Sequence, residues 1–304
     1  MRLRAPVLED APAVLAVLVA RDVADLGRPD ATLDDLLDEW RGSDVDLAND
    51  ARVMQDGDGA IIGYAMVRRP GAQAVVHPEH ERRGIGTALR EWAERRGHER
   101  GRDRHLQWVG AANASARALL IDAGYAVTRT YWRMVCPLEE IAALAPPAVP
   151  TGFALRAVDV DNDARSLHAV DAASFAARPD YVPESLVEFR EEHLDAHDFE
   201  PGLSGVAHEA GTIVGFLLAR RWEDEAVGYV DVLAVDPRYQ GRGLGTALLR
   251  RSFEAFAAAG LREAQLGVDS DNPRALRVYE RAGMRVLFAT DIYERPVDPP
   301  TSRL

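Results

Sequence analysis

Two spacings of apolar residues alternate along the chain, and they predict strands and helices in turn. In the second half, residues 205–208 and 212–220 alternate apolar and polar positions around Glu209-Ala210-Gly211, the signature of a hairpin. Residues 229–235, mostly apolar, predict a strand, and 244–259 a helix that Gly260 stops. Residues 264–268 predict another strand. A helix over 273–282 follows, opened by Asn272 as cap with Pro273 behind it and ended by Gly283. A last strand region covers 284–293. Acid-capped helical stretches begin each half, at 10–20 and 161–173. Strands and helices in this order predict an α+β fold, with a mixed, mostly antiparallel central sheet flanked by helices.

The pattern occurs twice. Val235-Asp236-Pro237-Arg238-Tyr239-Gln240-Gly241-Arg242-Gly243-Leu244-Gly245-Thr246-Ala247-Leu248 repeats the stretch from Val76 to Leu89, which reads Val-His-Pro-Glu-His-Glu-Arg-Arg-Gly-Ile-Gly-Thr-Ala-Leu, at an offset of 159 residues (235 less 76). The register still holds further on, where Asn272 answers Asn113 and Ala282-Gly283 answers Ala123-Gly124. A conserved offset through unlike segments marks a duplicated domain. Between the copies, Leu144-Ala145-Pro146-Pro147-Ala148-Val149-Pro150-Thr151-Gly152 interrupts both helix and sheet, because proline fixes φ and removes a donor. The predicted organisation is therefore a domain over 1–145, a linker over 146–152 and a second domain over 153–304.

At 304 residues and 47% apolar composition the chain can fill two cores. No apolar run approaches the roughly 20 residues of a membrane span, and the N-terminus lacks a secretory core. The one cysteine, Cys136, cannot close an internal disulfide, so a reducing cytoplasm is the expected location. All 36 basic residues are arginine and the net charge is −13, which argues against nucleic acid and permits a cationic substrate. A monomer or homodimer is expected.

In both copies a predicted strand runs into a glycine-rich turn and then a helix. Glycines let the backbone approach an anion, and the first helical N–H groups have no internal partners. Gln240-Gly241-Arg242-Gly243-Leu244-Gly245 is therefore a candidate diphosphate cradle that needs no metal. Thr246 stands where the dinucleotide fingerprint requires its third glycine, so that fingerprint fails. The segment instead resembles the Q/R-x-x-G-x-G/A signature of the GNAT acetyltransferases. The stretch from Asn272 to Met284 resembles that family's second cofactor motif. Two such domains in one acidic chain resemble the mycothiol synthase group, in which the C-terminal domain works and the N-terminal one is degenerate.

The resemblance implies acetyl-coenzyme A as cofactor and a primary amine of a small molecule as acceptor. It implies cofactor contacts from Leu233, Ala234, Val235, Gln240, Gly241, Arg242, Gly243, Leu244, Gly245, Thr246, Asn272 and Tyr279. It also implies a bulge in the strand before the loop. Tyr279 falls at the family's proton-donating tyrosine, and a phenol suits protonation of a departing thiolate. A packing role for that ring is the alternative. Asp231, inside an apolar strand and on the same face as Tyr229, is the candidate base, since burial would raise its pKa. It could equally hold the substrate's ammonium without taking its proton, with water or Tyr229 as the base instead. Where mycothiol synthase carries a glutamate, this chain has Tyr229, which puts that particular acceptor in doubt.

In the first copy Leu120 replaces Tyr279, Ala72 replaces Asp231, Glu81 replaces Gln240 and Ala114 replaces Pro273. Its Val76, Arg82, Arg83, Gly84, Ile85, Gly86 and Thr87 keep the cradle's core. Coenzyme A binding without turnover is expected there, with a purely structural role as the alternative. The acceptor side in the second copy should be the 175–202 connection, rich in aromatics and acids, which together would suit a polycationic or sugar-like amine. Leu186, Phe189, His193 and Ala196 recur at helical spacing, so its acids read as the solvated face of an amphipathic helix. His193 and His197 stand four apart, but no third ligand is evident and the H-E-x-x-H pattern is absent, so no metal is expected. Glu223-Asp224-Glu225 reads as a hairpin tip. A coenzyme A-binding sensor or scaffold without turnover is the reading from another class; acetylation of a cysteinyl glycoside is a narrower alternative.

Overall fold

The structure, a computed structural model, describes residues 1–42, 44–68, 71–141, 149–177, 181–223 and 225–297. It forms two compact units, residues 1–131 with 288–304, and residues 132–287. Both are α+β with helices on the two faces of a sheet.

In the first unit the strand order is Arg2–Arg4, Ala51–Gln55, Ile61–Val67, Ala72–Val76, Arg104–Gly110 and then the terminal strand Arg285–Pro296 from residue 288 on. In the second it is Ala154–Arg156, Gly205–Glu209, Thr212–Trp222, Val227–Val235, Glu263–Asp269 and then residues 132–137 of Ala126–Pro137. Each sheet holds a parallel pair, Ala72–Val76 with Arg104–Gly110 and Val227–Val235 with Glu263–Asp269.

The units do not follow the expected 1–145 and 153–304 division. Residues 132–137 belong to the second unit, and residues 288–296 to the first, where they run antiparallel to Arg104–Gly110. Each sheet thus takes its sixth strand from the other half of the sequence. Duplicated repeats present equivalent edges, so either copy's last strand can satisfy the same ladder of N–H and C=O groups. Residues 146–148 of the expected linker, and Asp224 of the expected tip, lie outside the described residues.

In the second unit, helix Leu244–Ala258 lays Leu248, Phe253 and Phe256 against Leu217, Ala219 and Val230. Helix Val160–Phe175 covers the other face with Leu167 and Val170 against Phe216, Leu218 and Val232. Gly228 is required by this packing: a Cβ there would stand 2.3 Å from the Phe256 ring. The first unit repeats the arrangement, with Val14, Val17 and Tyr64 on one side and Ile85, Leu89 and Trp92 on the other.

Candidate active site

The second unit's sheet opens at its parallel pair. Strand Val227–Val235 pairs with Glu263–Asp269 from Val227↔Glu263 to Val230↔Leu266 and no further, although both strands continue. On its other edge the same strand pairs with Thr212–Trp222, and its register slips between Val230 and Val232. Asp231 is the extra residue of this bulge. Because of it, Val230 faces the core under helix Leu244–Ala258, while Val232 and Ala234 face the core under helix Val160–Phe175. Leu233 and Val235 pack on the first of these cores, beside the opening.

The strand leads into the glycine loop. Asp236 accepts from the Arg238 amide and pairs with its guanidinium, fixing the turn. Gly241 and Gly243 adopt φ of +78° and +88°, and Gly243 is the left-handed N-cap of helix Leu244–Ala258. A Cβ at Gly241 or Gly245 would meet no atom within 4 Å. The helix start is therefore open, with unpaired N–H groups able to receive an anion. Gln240 braces the loop: its amide donates to the Val235 carbonyl at 2.8 Å and its oxygen accepts from Arg274 at 2.6 Å. The Arg242 guanidinium lies over the Tyr239 ring, 5.1 Å from its centroid. Among the loop residues, Leu244 is buried as a core anchor and Thr246 is half-buried in the first helical turn.

Helix Pro273–Arg281 supplies Tyr279. Asn272 caps it, its side-chain oxygen accepting from the Ala275 amide at 3.1 Å. Leu276 and Tyr279 are its buried residues. Burial, with Tyr229 close by, pushes the Tyr279 phenol up to about 12. Among the described residues its hydroxyl makes no hydrogen bond. Tyr229 stacks on Trp222 at 4.5 Å between ring centroids, under the Arg133 guanidinium.

Asp231 behaves contrary to expectation. Its Oδ2 accepts from His193 Nδ1 at 2.7 Å and from Arg220 Nη2 at 3.2 Å, and its Oδ1 lies 3.1 Å from Arg220 Nε. Burial pushes the carboxyl up, as expected, but His193 and then Arg220 outweigh it and hold it below its ordinary range. The raised pKa read from its apolar strand is therefore overturned by two cationic partners. His193 is shifted the other way: burial lowers it, but the hydrogen bond and charge of Asp231, then Glu192 and Glu184, lift it above its ordinary value.

The 175–202 connection forms the surroundings of His193. Its regular part is a short helix, Leu186–Phe189, followed by a π turn, Arg190–Leu194. Phe189 and Leu194 are buried, as the apolar spacing predicts. The acids are not one solvated face. Glu188 closes a capping box with Ser185, Asp195 pairs with Arg190, and Asp198 binds Arg220 and Trp222. Glu184 and Glu192 instead gather at His193, the three polar atoms lying within 4.8 Å of one another. His197 is not among them. Burial, with Glu184 and Glu192 adding to it, raises nearby Asp171 to about 6 even against His193. This ring of carboxylates favours a cationic group. The sequence places His193 in a helix's apolar stripe and offers it only as half of a metal pair with His197, not as a proton acceptor; a histidine in that stripe amid acids was the available signal.

The first unit keeps a glycine-capped helix start but has neither the bulge nor the acid and tyrosine of the second. Gly84 caps helix Ile85–Glu99 with φ +77°, and Arg82 stands in the left-handed region, φ 58°, where the second copy has Gly241. Its strand pairing from Gly63↔Val76 to Val67↔Ala72 contains no register shift, so no bulge forms. Ala72 and Leu120 are buried core residues. Glu81 is held by Arg21 at 2.8 Å and Ser115 at 2.7 Å, which with Arg82 keep it low and charged. A Cβ at Gly86 would meet Leu119 at 3.0 Å, so this helix start is more closed than at Gly245. Val76 and Ile85 pack in the core; Arg83 lies near His80, and Thr87 sits in the first helical turn.

The sequence profile of the Acetyltransferase (GNAT) family matches residues 22–125 and again 169–284. The chain belongs to the GNAT acetyltransferase family. A mycothiol acetyltransferase of Streptomyces avermitilis is 34% identical over 244 residues, 78% of this chain and 76% of that one. Another, of Streptomyces bingchenggensis, is 32% identical over 249 residues, 79% of each chain. The solved GCN5-related N-acetyltransferase from Sphaerobacter thermophilus superposes with a TM-score of 0.83 at 28% identity, over 98% of this chain and 96% of that one. A tandem GNAT protein from the clavulanic acid biosynthesis pathway shares the fold, with a TM-score of 0.77 at 18% identity, over 98% and 99%. The chain is an acyltransferase of a family that uses acyl-coenzyme A. Among the described residues, no helix is long and apolar enough to cross a membrane.

Proposed function

We propose that the second unit transfers an acetyl group from acetyl-coenzyme A to a primary amine of a small molecule. The observation that carries this reading is the conjunction of an open helix start at Gly241–Gly245 with a strand bulged at Asp231 and parted from its neighbour beyond Val230. Acetyl-coenzyme A would supply a thioester with an electrophilic carbonyl carbon and a thiolate leaving group. Gly241, Arg242, Gly243 and Gly245 would receive its diphosphate, and the unpaired edge of residues 231–235 its pantetheine arm. A backbone N–H at the bulge would polarise the thioester's carbonyl oxygen. Tyr279 Oη holds its proton throughout the neutral range and is the donor on the cofactor side. Asp171, Glu184 and Glu192 provide negative charge where a cationic amine would enter. The first unit, without a bulge, acid or tyrosine at these positions, is read as non-catalytic.

A narrower reading is acetylation of a cysteinyl glycoside. It is favoured by the mycothiol acetyltransferases that match over most of their length. Thiol release from acetyl-coenzyme A across cysteinyl glycosides, amino sugars, aminoglycosides and polyamines tests both. Turnover with one small amine supports the general reading, and preference for the cysteinyl glycoside supports the narrower one. Coenzyme A binding without turnover of any amine would favour a sensor instead.

A further inference from the structure

We infer that His193 is the base that removes the acceptor's proton, and that Asp231 is the residue that positions it. The inference rests on the acetyl-transfer reading above and adds the group that readies the amine. Asp231 itself is poorly placed to act. Both its oxygens are engaged, Oδ2 by His193 and Arg220 and Oδ1 by Arg220. A carboxylate that accepts from an imidazole N–H and is paired with a guanidinium is a weak base.

His193 has what Asp231 lacks. Its Nδ1 donates to Asp231, which fixes the tautomer that leaves Nε2 as an acceptor, and among the described residues Nε2 makes no hydrogen bond. The ring is kept in place by Phe189, 5.1 Å away between centroids, which in turn packs on Phe216. Through Asp231 it is joined directly to the bulge, where the sheet opens toward the cofactor side. Every element around it contributes charge: Asp231 from the bulged strand, Arg220 from the neighbouring strand, Asp171 and His168 from helix Val160–Phe175, Glu184 from the connection and Glu192 from its own turn. Four of these six are carboxylates. An ammonium drawn there meets an imidazole already oriented.

The step is a proton transfer. The ammonium N–H bond breaks, its electron pair stays on nitrogen as the attacking lone pair, and the proton forms a bond to Nε2. The imidazolium formed is stabilised by Asp231 and then loses the proton to solvent. The raised His193 sets the direction with pH. The neutral imidazole is needed, so kcat/KM should climb as pH rises through a midpoint above the ordinary histidine value of about 6.5.

The test uses the full chain with cysteinyl-glucosamine as acceptor, or the best amine of the panel if that sugar is inert. His193→Gln should lower kcat by about 10²-fold, the usual scale of general base catalysis, and remove the rising acid limb. Coenzyme A affinity by calorimetry should not change. Asp231→Asn should keep a smaller activity and move the limb to lower pH. An NMR titration of the His193 ring gives a readout independent of turnover. Its midpoint should lie above the ordinary value in the native chain and fall in Asp231→Asn. A His193→Gln enzyme that keeps its kcat and acid limb with only KM raised would show a binding residue and overturn the inference. A midpoint that Asp231→Asn leaves in place would overturn the positioning role. If no amine is acetylated at all, the acetyl-transfer reading fails, and the titration still decides whether the pair is coupled.

Discussion

Replacing Tyr279 by phenylalanine separates chemistry from packing more cleanly than any other single change in this chain. The residue is buried at 9% exposure beside Leu276 in the second unit's core, so the ring itself contributes to stability. Its hydroxyl makes no hydrogen bond among the described residues, and phenylalanine keeps the ring. No protein hydrogen bond is lost, so the change in unfolding free energy should stay within about 0.5 kcal/mol, below the ~1 kcal/mol typical of a lost hydrogen bond. Turnover should behave differently. Loss of a positioned acid typically costs about 10²-fold, which corresponds to about 2.7 kcal/mol of barrier. Stopped-flow thiol release at saturating acetyl-coenzyme A gives kcat, and urea denaturation of the same sample gives stability. Intact turnover in Tyr279→Phe would show that the ring only packs. A stability loss matching the loss of activity would show that the hydroxyl has a structural partner, and the proton-donor assignment would fall.

Two further consequences concern the first unit and the exchanged strands. Arg82→Gly should stabilise the chain by about 1 kcal/mol in urea denaturation, because a non-glycine residue at φ 58° carries a left-handed penalty of that order; an unchanged or lower stability would mean that the Arg82 side chain makes up for its backbone. Separate expression of 1–150 and 151–304 should give halves that are less stable than the full chain, since each must fill its sixth-strand edge with its own last strand in place of the exchanged one, and co-expression should restore the stability; halves as stable alone as together would contradict the exchange.

Much of the second copy was legible because its periodicities are regular. The hairpin, the cradle helix stopped near Gly260 and the helix capped by Asn272 lie where spacing and caps put them. The glycine loop was legible for a different reason: a left-handed helix N-cap such as Gly243 leaves a strong composition signal. The bulge left no mark in the residues themselves, because an extra residue in a strand is defined only by its partner's register, Ala219 followed by Leu218. Nor could the strand exchange be read, since both copies offer the same edge and local sequence does not say which strand fills it. The sign of the Asp231 shift depended on His193, 38 residues away, and on Arg220 of the next strand. Burial was predictable from the apolar neighbours of Asp231; its two cationic partners were not.

The claim that the second unit holds the cofactor and does the chemistry is tested most directly by a matched pair of variants in the full chain, Gly243→Val and Gly84→Val. The two glycines are helix N-caps with φ of +88° and +77°, and an added Cβ meets only Pro150 at 3.7 Å in the first case and nothing within 4 Å in the second. Backbone strain is therefore similar in both, and only the role of the helix start differs. With circular dichroism confirming the fold, calorimetric affinity for coenzyme A and acetyl-coenzyme A turnover are measured on each. Gly243→Val should lose both, and Gly84→Val should keep most of its turnover. Activity that survives Gly243→Val and disappears in Gly84→Val would place the chemistry in the other unit.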